Sequence, residues 1–261
     1  MAITAAQVKE LRERTGIGMM ECKKALTASN GDIELAIEEL RKKGLAKAAK
    51  KADREMAEGG IVMEVTDGKA YVLSISCETD FLANSDRFHD MTADIMAYLK
   101  ENGADSKEGA QEKINKDWAL ELGENLQVRD YIVMDVDAAG AYVHSNKKLA
   151  ALVVGTAGTD ADKLKQVAMH VSATNPDYLS PDEISEEVIE KEKSIQLEIM
   201  KNDPKMANKT DDVLLKIIGG KMGKFKSEVS LLEQAFVIDP NQKVKDFIGQ
   251  DSVTSFHRYS I

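Results

Sequence analysis

The sequence predicts an α+β protein: a three-helix N-terminal domain, a core of two similar α+β subdomains, and an inserted antiparallel coiled-coil hairpin. Three observations predict it. Apolar residues recur at helical spacing through residues 1–54. Further on, a plan of strand, turn, strand, helix and strand occurs twice, in pattern more than in residues. A strong helix-start signal then opens a polar stretch with apolar positions at coiled-coil spacing.

The first segment, 1–54, reads as a miniature bundle. Thr4 caps a helix with Val8 and Leu11 on its apolar side, ending near Thr15-Gly16. A second helix fits Met19 to Ala28, and Asn30-Gly31 makes the turn. A third starts at Asp32, with Ile33, Ala36, Ile37 and Leu40 on one face.

The second segment, 55–139, forms one core subdomain. Gly59-Gly60 opens a strand from Ile61 to Val65, and Asp67-Gly68 carries the hairpin signal. A second strand, Ala70 to Ser76, follows. Helices are predicted over Ser85–Glu101 and Ser106–Gly123, then a strand over Leu126–Asp135.

The other core subdomain comprises 140–179 and 229–261. Ala141 to His144 starts a strand, Ser145 to Lys148 is a turn, Leu149 to Val154 pairs back, and a helix covers Asp160 to Ala173. The returning strand is either Phe236-Val237-Ile238 or Val253 to Ile261. The hairpin, 180–228, starts with Ser180 as cap, Pro181 at the first position and acids in the first turn. Its seam is read as Ile184, Val188, Ile195 and Ile199. Asn202-Asp203-Pro204 breaks the helix before a second one carrying Val213 to Phe225.

Composition excludes several functions. The 261 residues suffice for about two domains. At 43% hydrophobic and 31% charged, the chain should fold and stay in solution. A formal net charge of -10 argues against stable nucleic-acid binding, which needs basic surface to replace counterions. The basic, Ala-rich run Arg41–Lys51 is the one place where an RNA or ribosome contact has support; a solvated helix extension is the ordinary reading. Cys22 and Cys77 lie apart and outside any metal-ligand spacing, so no metal or other cofactor is expected. No stretch reaches the roughly 18 apolar residues of a membrane span, and Met1 to Glu10 does not read as a secretory signal. The cytoplasm is the expected compartment, with no membrane partner.

One feature stands apart. Between the second strand and the following helix lies Thr79-Asp80-Phe81-Leu82, a connector with a carboxylate beside a large ring, where small polar residues are usual. Either Phe81 folds into its own core and Asp80 caps the helix, or the pair faces outward to enter a partner. On chemistry alone the inward reading is the ordinary one.

The stretch Val8 to Leu26, containing Arg14-Thr15-Gly16-Ile17-Gly18-Met19-Met20-Glu21-Cys22-Lys23, resembles the N-terminal signature of bacterial translation elongation factor Ts. Glu78 to Ala83 resembles the family's second signature, and Ala168-Met169-His170-Val171, Glu190-Lys191-Glu192 and Glu228 to Gln234 also match in order. The resemblance covers nearly the whole chain. It implies an exchange factor rather than an enzyme, which binds elongation factor Tu, both GDP-bound and nucleotide-free, and releases its GDP. It also implies that the bundle is of ubiquitin-associated type. By the same resemblance Thr79, Asp80, Phe81 and Leu82 enter the partner's GTPase domain and disturb its magnesium site, Leu82 standing where Val is usual.

Arg12, Met19, Met20 and Lys23 match an N-terminal contact surface, although a bundle-core role for either Met is the bland alternative. Leu122 and Gly123 match an Ile-Gly pair supporting the wedge. His144 matches a histidine reaching the partner near its phosphate loop, although its turn lacks the usual Gly. Val237 and Ile238 match an apolar contact pair on the returning strand, where core packing is the alternative. The hairpin serves either dimerisation, giving a homodimer of the heterodimer, or a partner contact. Many members continue past the position of Ile261 into a helical module that adds to the partner contact.

Two rival readings remain on residues alone. One is an enzyme using Cys77 with His89 or His144, for which no elbow, Gly-rich loop or metal spacing is present. The other is a peptide or RNA adaptor built on residues 1–54. His170 reads as structural, facing its own core, and the sequence pattern assigns no role to His89 or His257.

Overall fold

Thr4 opens the first helix as its spacing predicts. In the computed structural model, which describes residues 3–51, 54–202, 209 and 211–261 (without the side chains of 45–51, 211 and 212), Thr4 makes a capping box with Gln7. Helix α1 is Ala5–Thr15, closed by Gly16 at φ 68°, whose N–H donates to the Arg12 carbonyl. Helix α2 is Met19–Ala28 and α3 is Ile33–Lys51. The side chains of the basic run from Leu45 onward lie outside the described residues. The bundle buries Val8, Leu11, Ile17, Cys22, Leu26, Ala36 and Leu40 around one core. Leu120, from far along the chain, packs against that core too.

Strands β1 (Glu58–Thr66) and β2 (Lys69–Cys77) are joined by Asp67 at φ 52° and Gly68 at φ 72°. Positive φ at both central positions is the primed hairpin turn that the Asp-Gly pair predicts, and it sets the register Thr66 opposite Lys69. After β2 come a single helical turn, α4 (Asp80–Ala83), and helix α5 (Asp86–Asn102) capped by Ser85. The predicted helix over 106–123 is instead interrupted. Helix α6 (Lys107–Lys113) leads into one π turn over Ile114–Trp118 and then α7 (Ala119–Leu122), ended by left-handed Gly123. Strand β3 (Gln127–Asp135) pairs antiparallel with β2, so the sheet order is β1-β2-β3. Helix α5 lays Phe88, Met91, Ile95, Met96 and Leu99 on Tyr71, Leu73, Ile75 and Cys77 of the sheet. Full burial of each such large apolar side chain contributes about 1.5–3 kcal/mol.

The plan then repeats. Strands β4 (Ala138–Val143), β5 (Leu149–Gly155) and β6 (Val253–Ser260) form a second sheet in the order β4-β5-β6, with helix α8 (Ala161–Thr174) following β5. The returning strand is therefore the later of the two candidates. Phe236-Val237-Ile238 is not a strand, because Pro240 closes so short a run and Phe236 turns back through its N–H to the Gln242 carbonyl. Short helix α11 (Val244–Ile248) lies between that turn and β6, after the hairpin helices α9 (Glu186–Lys201) and α10 (Asp211–Val229).

Two details of the hairpin correct the sequence reading. Ser180 makes no capping bond and Pro181–Glu183 is only one 3-10 turn; the cap is Ser185, which accepts from Val188 N. Extended backbone at Ile184 separates the two. Ile195 and Ile199 are exposed, and the apolar cluster between α9 and α10 is built from Met200, Leu214, Ile218 and Met222 with Leu197. Of the predicted break, Asn202 is the C-cap of α9, while Asp203 and Pro204 lie outside the described residues.

Contacts divide the chain into two units. One is Met1–Asp135 with Val143–Leu149 and Tyr259–Ile261; the other is Val136–Tyr142 with Ala150–Arg258. In the second unit Leu164, Val167, Ala168 and Val171 of α8 pack with Leu231, Leu232, Phe236 and Val244. Phe236 stacks on Phe247 with ring centroids 4.4 Å apart. His170 is fully buried there, as its helical position predicts. Its Nδ1 accepts from the Val237 amide at 3.1 Å, which places the proton on Nε2, 2.8 Å from Gln234 Oε1.

A Cβ at Gly140 would lie 2.1 Å from the Lys165 nitrogen, so β4 meets α8 through a bare backbone. Gly140→Ala should destabilise by about 1–3 kcal/mol in urea unfolding, whereas Gly219→Ala, with open space in exposed α10, should stabilise by about 0.5–1 kcal/mol. Burial also holds the His170 and His257 pKa below the ordinary value. The unfolded chain then binds more protons just below pH 6.5, so these histidines contribute stability that is present above that pH and lost as pH falls through it. Unfolding curves between pH 7.5 and about 5 should show that loss, and His170→Gln should remove part of the slope.

Candidate functional site

Strand β2 delivers the connector at a buried end. Cys77 is fully buried, and its Sγ donates to the Thr79 carbonyl at 3.2 Å. Thr79, in extended backbone, caps α4 by accepting from the Leu82 amide at 3.2 Å. At the other end, Asn84 Nδ2 donates to the Asp80 carbonyl at 2.8 Å, and Ser85 Oγ to the Leu82 carbonyl at 2.8 Å.

A helical turn separates neighbours by about 100°, so four residues split into two sides. Ala83 is buried and Leu82 packs against the sheet–helix core. Asp80 and Phe81 therefore face solvent, and Phe81 is 87% exposed, the most exposed large apolar side chain among the described residues. The inward reading of the connector fails on both counts: Thr79 rather than Asp80 is the cap, and the ring does not fold back. The connector is also a helical turn rather than irregular, because the Thr-Asp pair at its start suits a helix N-terminus.

The segment after α7 holds this turn, through residues whose role the sequence pattern does not reveal. Glu124 Oε2 accepts from the amides of Glu78 and Thr79, each at 2.9 Å, and Oε1 accepts from Thr79 Oγ1 at 2.5 Å. Glu78 Oε1 accepts in return from the Asn125 amide at 2.6 Å, and Arg54 Nη1 lies 3.1 Å from Glu78 Oε2. Leu122 packs against the core, and left-handed Gly123 (φ 76°) turns the chain toward Glu124. A polar residue just after a predicted helix C-cap is the only sequence signal that could have pointed to Glu124.

The other sequence-derived positions fall as follows. Arg12 and Lys23 are exposed. Met19 and Met20 are 51% and 67% exposed, so neither belongs to the bundle core. Met19, Met20 and Lys23 share the outer side of α2 at positions i, i+1 and i+4. His144 lies just beyond β4, in a turn where its N–H donates to Leu149 O and its carbonyl accepts from Lys147 N. Lys147, at φ 56°, takes the left-handed place that a Gly would otherwise fill. Its Nζ lies 2.7 Å from His89 Nε2, giving His89 a partner that the sequence did not suggest. Val237 and Ile238 are about half-exposed, on a turn rather than on the returning strand.

The thiol of Cys77 is pushed up to about 12 by burial, with the Glu124 charge as a further cause. A nucleophilic thiol needs access and the opposite shift, and Cys77 is fully buried. Among the described residues no helix is long and apolar enough to cross a membrane.

A family model described as Elongation factor TS matches residues 78–261, a span that includes the connector. An elongation factor Ts from Marinobacter nauticus is 46% identical over 253 residues, covering 95% of this chain and 86% of the relative. One from Shewanella loihica is 43% identical, covering 100% and 92%, and one from Pasteurella multocida is 41% identical, covering 99% and 92%. Similarity of this depth over nearly the full length means that the chain belongs to the elongation factor Ts family of translation elongation factors.

Proposed function

We propose that the protein is a guanine nucleotide exchange factor for elongation factor Tu, acting in the cytoplasm, with Asp80 and Phe81 as the element that dislodges the partner's magnesium. The observation that carries this is the outward ring of Phe81 on a turn whose start is tied to Glu124 and capped by Thr79. A ring held outward on a capped turn at the end of a strand is placed to meet a partner rather than to fill its own core.

The mechanism follows from how a nucleotide diphosphate is held. Magnesium and backbone amides compensate the phosphate charge. Inserting a ring beside them displaces the groups that place the metal, and the nucleotide leaves faster once its charge is uncompensated. Asp80 beside the ring supplies an acceptor for a cation or backbone donor on the partner. Reciprocity requires GDP to weaken binding of this protein by the factor that this protein weakens GDP. The complex with empty partner must therefore stay weak enough for GTP to displace it.

Arg12, Met19, Met20 and Lys23 add a contact surface on a bundle of ubiquitin-associated type, where flexible Met side chains suit a partner that moves. Leu122 and Gly123 support the wedge, His144 reaches toward the phosphate loop, and Val237 and Ile238 supply a separate apolar contact. The α9–α10 hairpin forms a coiled coil.

The test is release of fluorescent GDP from elongation factor Tu at fixed magnesium. Phe81→Ala should change stability by less than about 0.5 kcal/mol, as expected for an exposed side chain, yet slow stimulated release by about tenfold or more. Asp80→Ala/Phe81→Ala should be slower still. Unchanged acceleration in the double variant would move the site elsewhere, and no acceleration by folded wild type would remove the exchange reading.

A further inference from the structure

We propose that Glu124 is a positioning residue for Phe81: its carboxylate fixes the direction in which the α4 turn presents the ring. This rests on the reading of Phe81 as the exchange element.

A four-residue turn has no stability of its own, because helix nucleation is unfavourable at that length. Phe81 contributes almost no packing to hold itself, being 87% exposed. Within the turn, Leu82 and Ala83 are the side chains that seat it on the core. Its direction must come from hydrogen bonds at its start. There the amides of Glu78 and Thr79 and the Thr79 hydroxyl all end on the single carboxylate of Glu124, beside the bond from the Cys77 thiol to the Thr79 carbonyl.

The hydroxyl of Thr79 makes the link directional. It carries one proton, which it gives to Glu124 Oε1, and this leaves its lone pairs turned toward the Leu82 amide. The acid therefore sets both the backbone of Thr79 and the polarity of the helical cap. Glu124 is in turn held by the chain, since the next residue's amide is tied to Glu78. Two glutamates thus exchange backbone partners across the gap between the end of β2 and the turn after α7. Removing Glu124 leaves the amides of Glu78 and Thr79 without these bonds and frees the hydroxyl to rotate.

A Gln at this position can keep much of the arrangement. Its oxygen can accept from both amides and its amino group can donate to Thr79 Oγ1. An Ala can do neither.

The experiment compares wild type, Glu124→Ala, Glu124→Gln, Thr79→Val, Phe81→Ala and Glu124→Ala/Phe81→Ala. Stimulated GDP release is measured over a range of factor concentration, beside amide hydrogen exchange of Leu82 in the free protein. Glu124→Ala should slow release about tenfold, and Glu124→Gln should stay within about threefold of wild type. In the Phe81→Ala background, Glu124→Ala should add less than about twofold, since the two act through one contact. Leu82 amide exchange should quicken about tenfold in Glu124→Ala and in Thr79→Val. Full additivity with Phe81→Ala, or an unchanged Leu82 amide in Glu124→Ala, overturns the proposal. If Phe81→Ala leaves release untouched while the Leu82 amide quickens in Glu124→Ala, the reading of Phe81 as the exchange element falls and the positioning of the turn stands. Should Glu124→Ala not fold, Glu124→Gln and Thr79→Val decide through the same two measurements.

Discussion

The first unit depends on one stretch, Trp118 to Asn125, that sends side chains into three places. Leu120 packs against the bundle core. Leu122 packs against the sheet–helix core. Glu124 takes the connector. Between them Glu121 receives Arg87 Nε and Nη2 at 2.5 and 2.6 Å, while the Arg87 guanidinium lies 5.1 Å from the Trp118 ring. Trp118 Nε1 donates to Asp94 at 2.9 Å. A bidentate pair that also stacks on an aromatic face is geometrically specific as well as attractive. Gly16 belongs to the same constraint, because the Glu121 carboxyl occupies the space where its Cβ would sit. The end of α1 thus needs glycine twice over, for its left-handed turn and for this approach.

An exposed apolar side chain has no packing of its own to hold it, so its direction is set by what anchors the backbone beneath it. The second unit solves this as the first does. Val237 is half-exposed, but its amide is bound to the buried ring of His170, which Gln234 orients. Gln234 Oε1 also receives the Thr174 hydroxyl at 3.0 Å, and Gln234 Nε2 donates to the Glu228 carbonyl. In both units a buried or half-buried polar side chain ties down main-chain amides beneath the exposed residue and is itself held by further side-chain bonds. Such groups are costly when unpaired, which makes the loops they hold well defined.

The parts of the fold readable from the chain were those decided within a few residues. Thr4 with Gln7, Gly16, Asp67-Gly68, Ser85 and Asp160 each mark a cap or turn whose hydrogen bonds close locally. The apolar stripes of α1, α5 and α8 name their own cores for the same reason. Where two local signals competed, reading was less secure. Ser180-Pro181 and Ser185-Glu186 are both good starts, and the helix took the second because Ile184 stays extended. On the hairpin, Ile195 and Ile199 keep helical spacing, yet the partner helix covers Leu197 and Met200. Spacing gives the faces of a helix but not which of them is covered.

The site divides along the same line. The unusual Asp80-Phe81 pair, the Met19-Met20 pair and the family signatures around them are properties of the chain, visible before any folding. That Phe81 points outward is a different kind of fact. It depends on Leu82 and Ala83 finding the core, and on Glu124, far away in sequence, reaching the amides of Glu78 and Thr79. Likewise Leu120 joins a bundle that periodicity closes at residue 54, and His170 acquires Val237 across the unit. Local signals record short-range hydrogen bonding and periodic burial. Partners brought together by chain reversal leave no periodic trace, so only the folded arrangement assigns them.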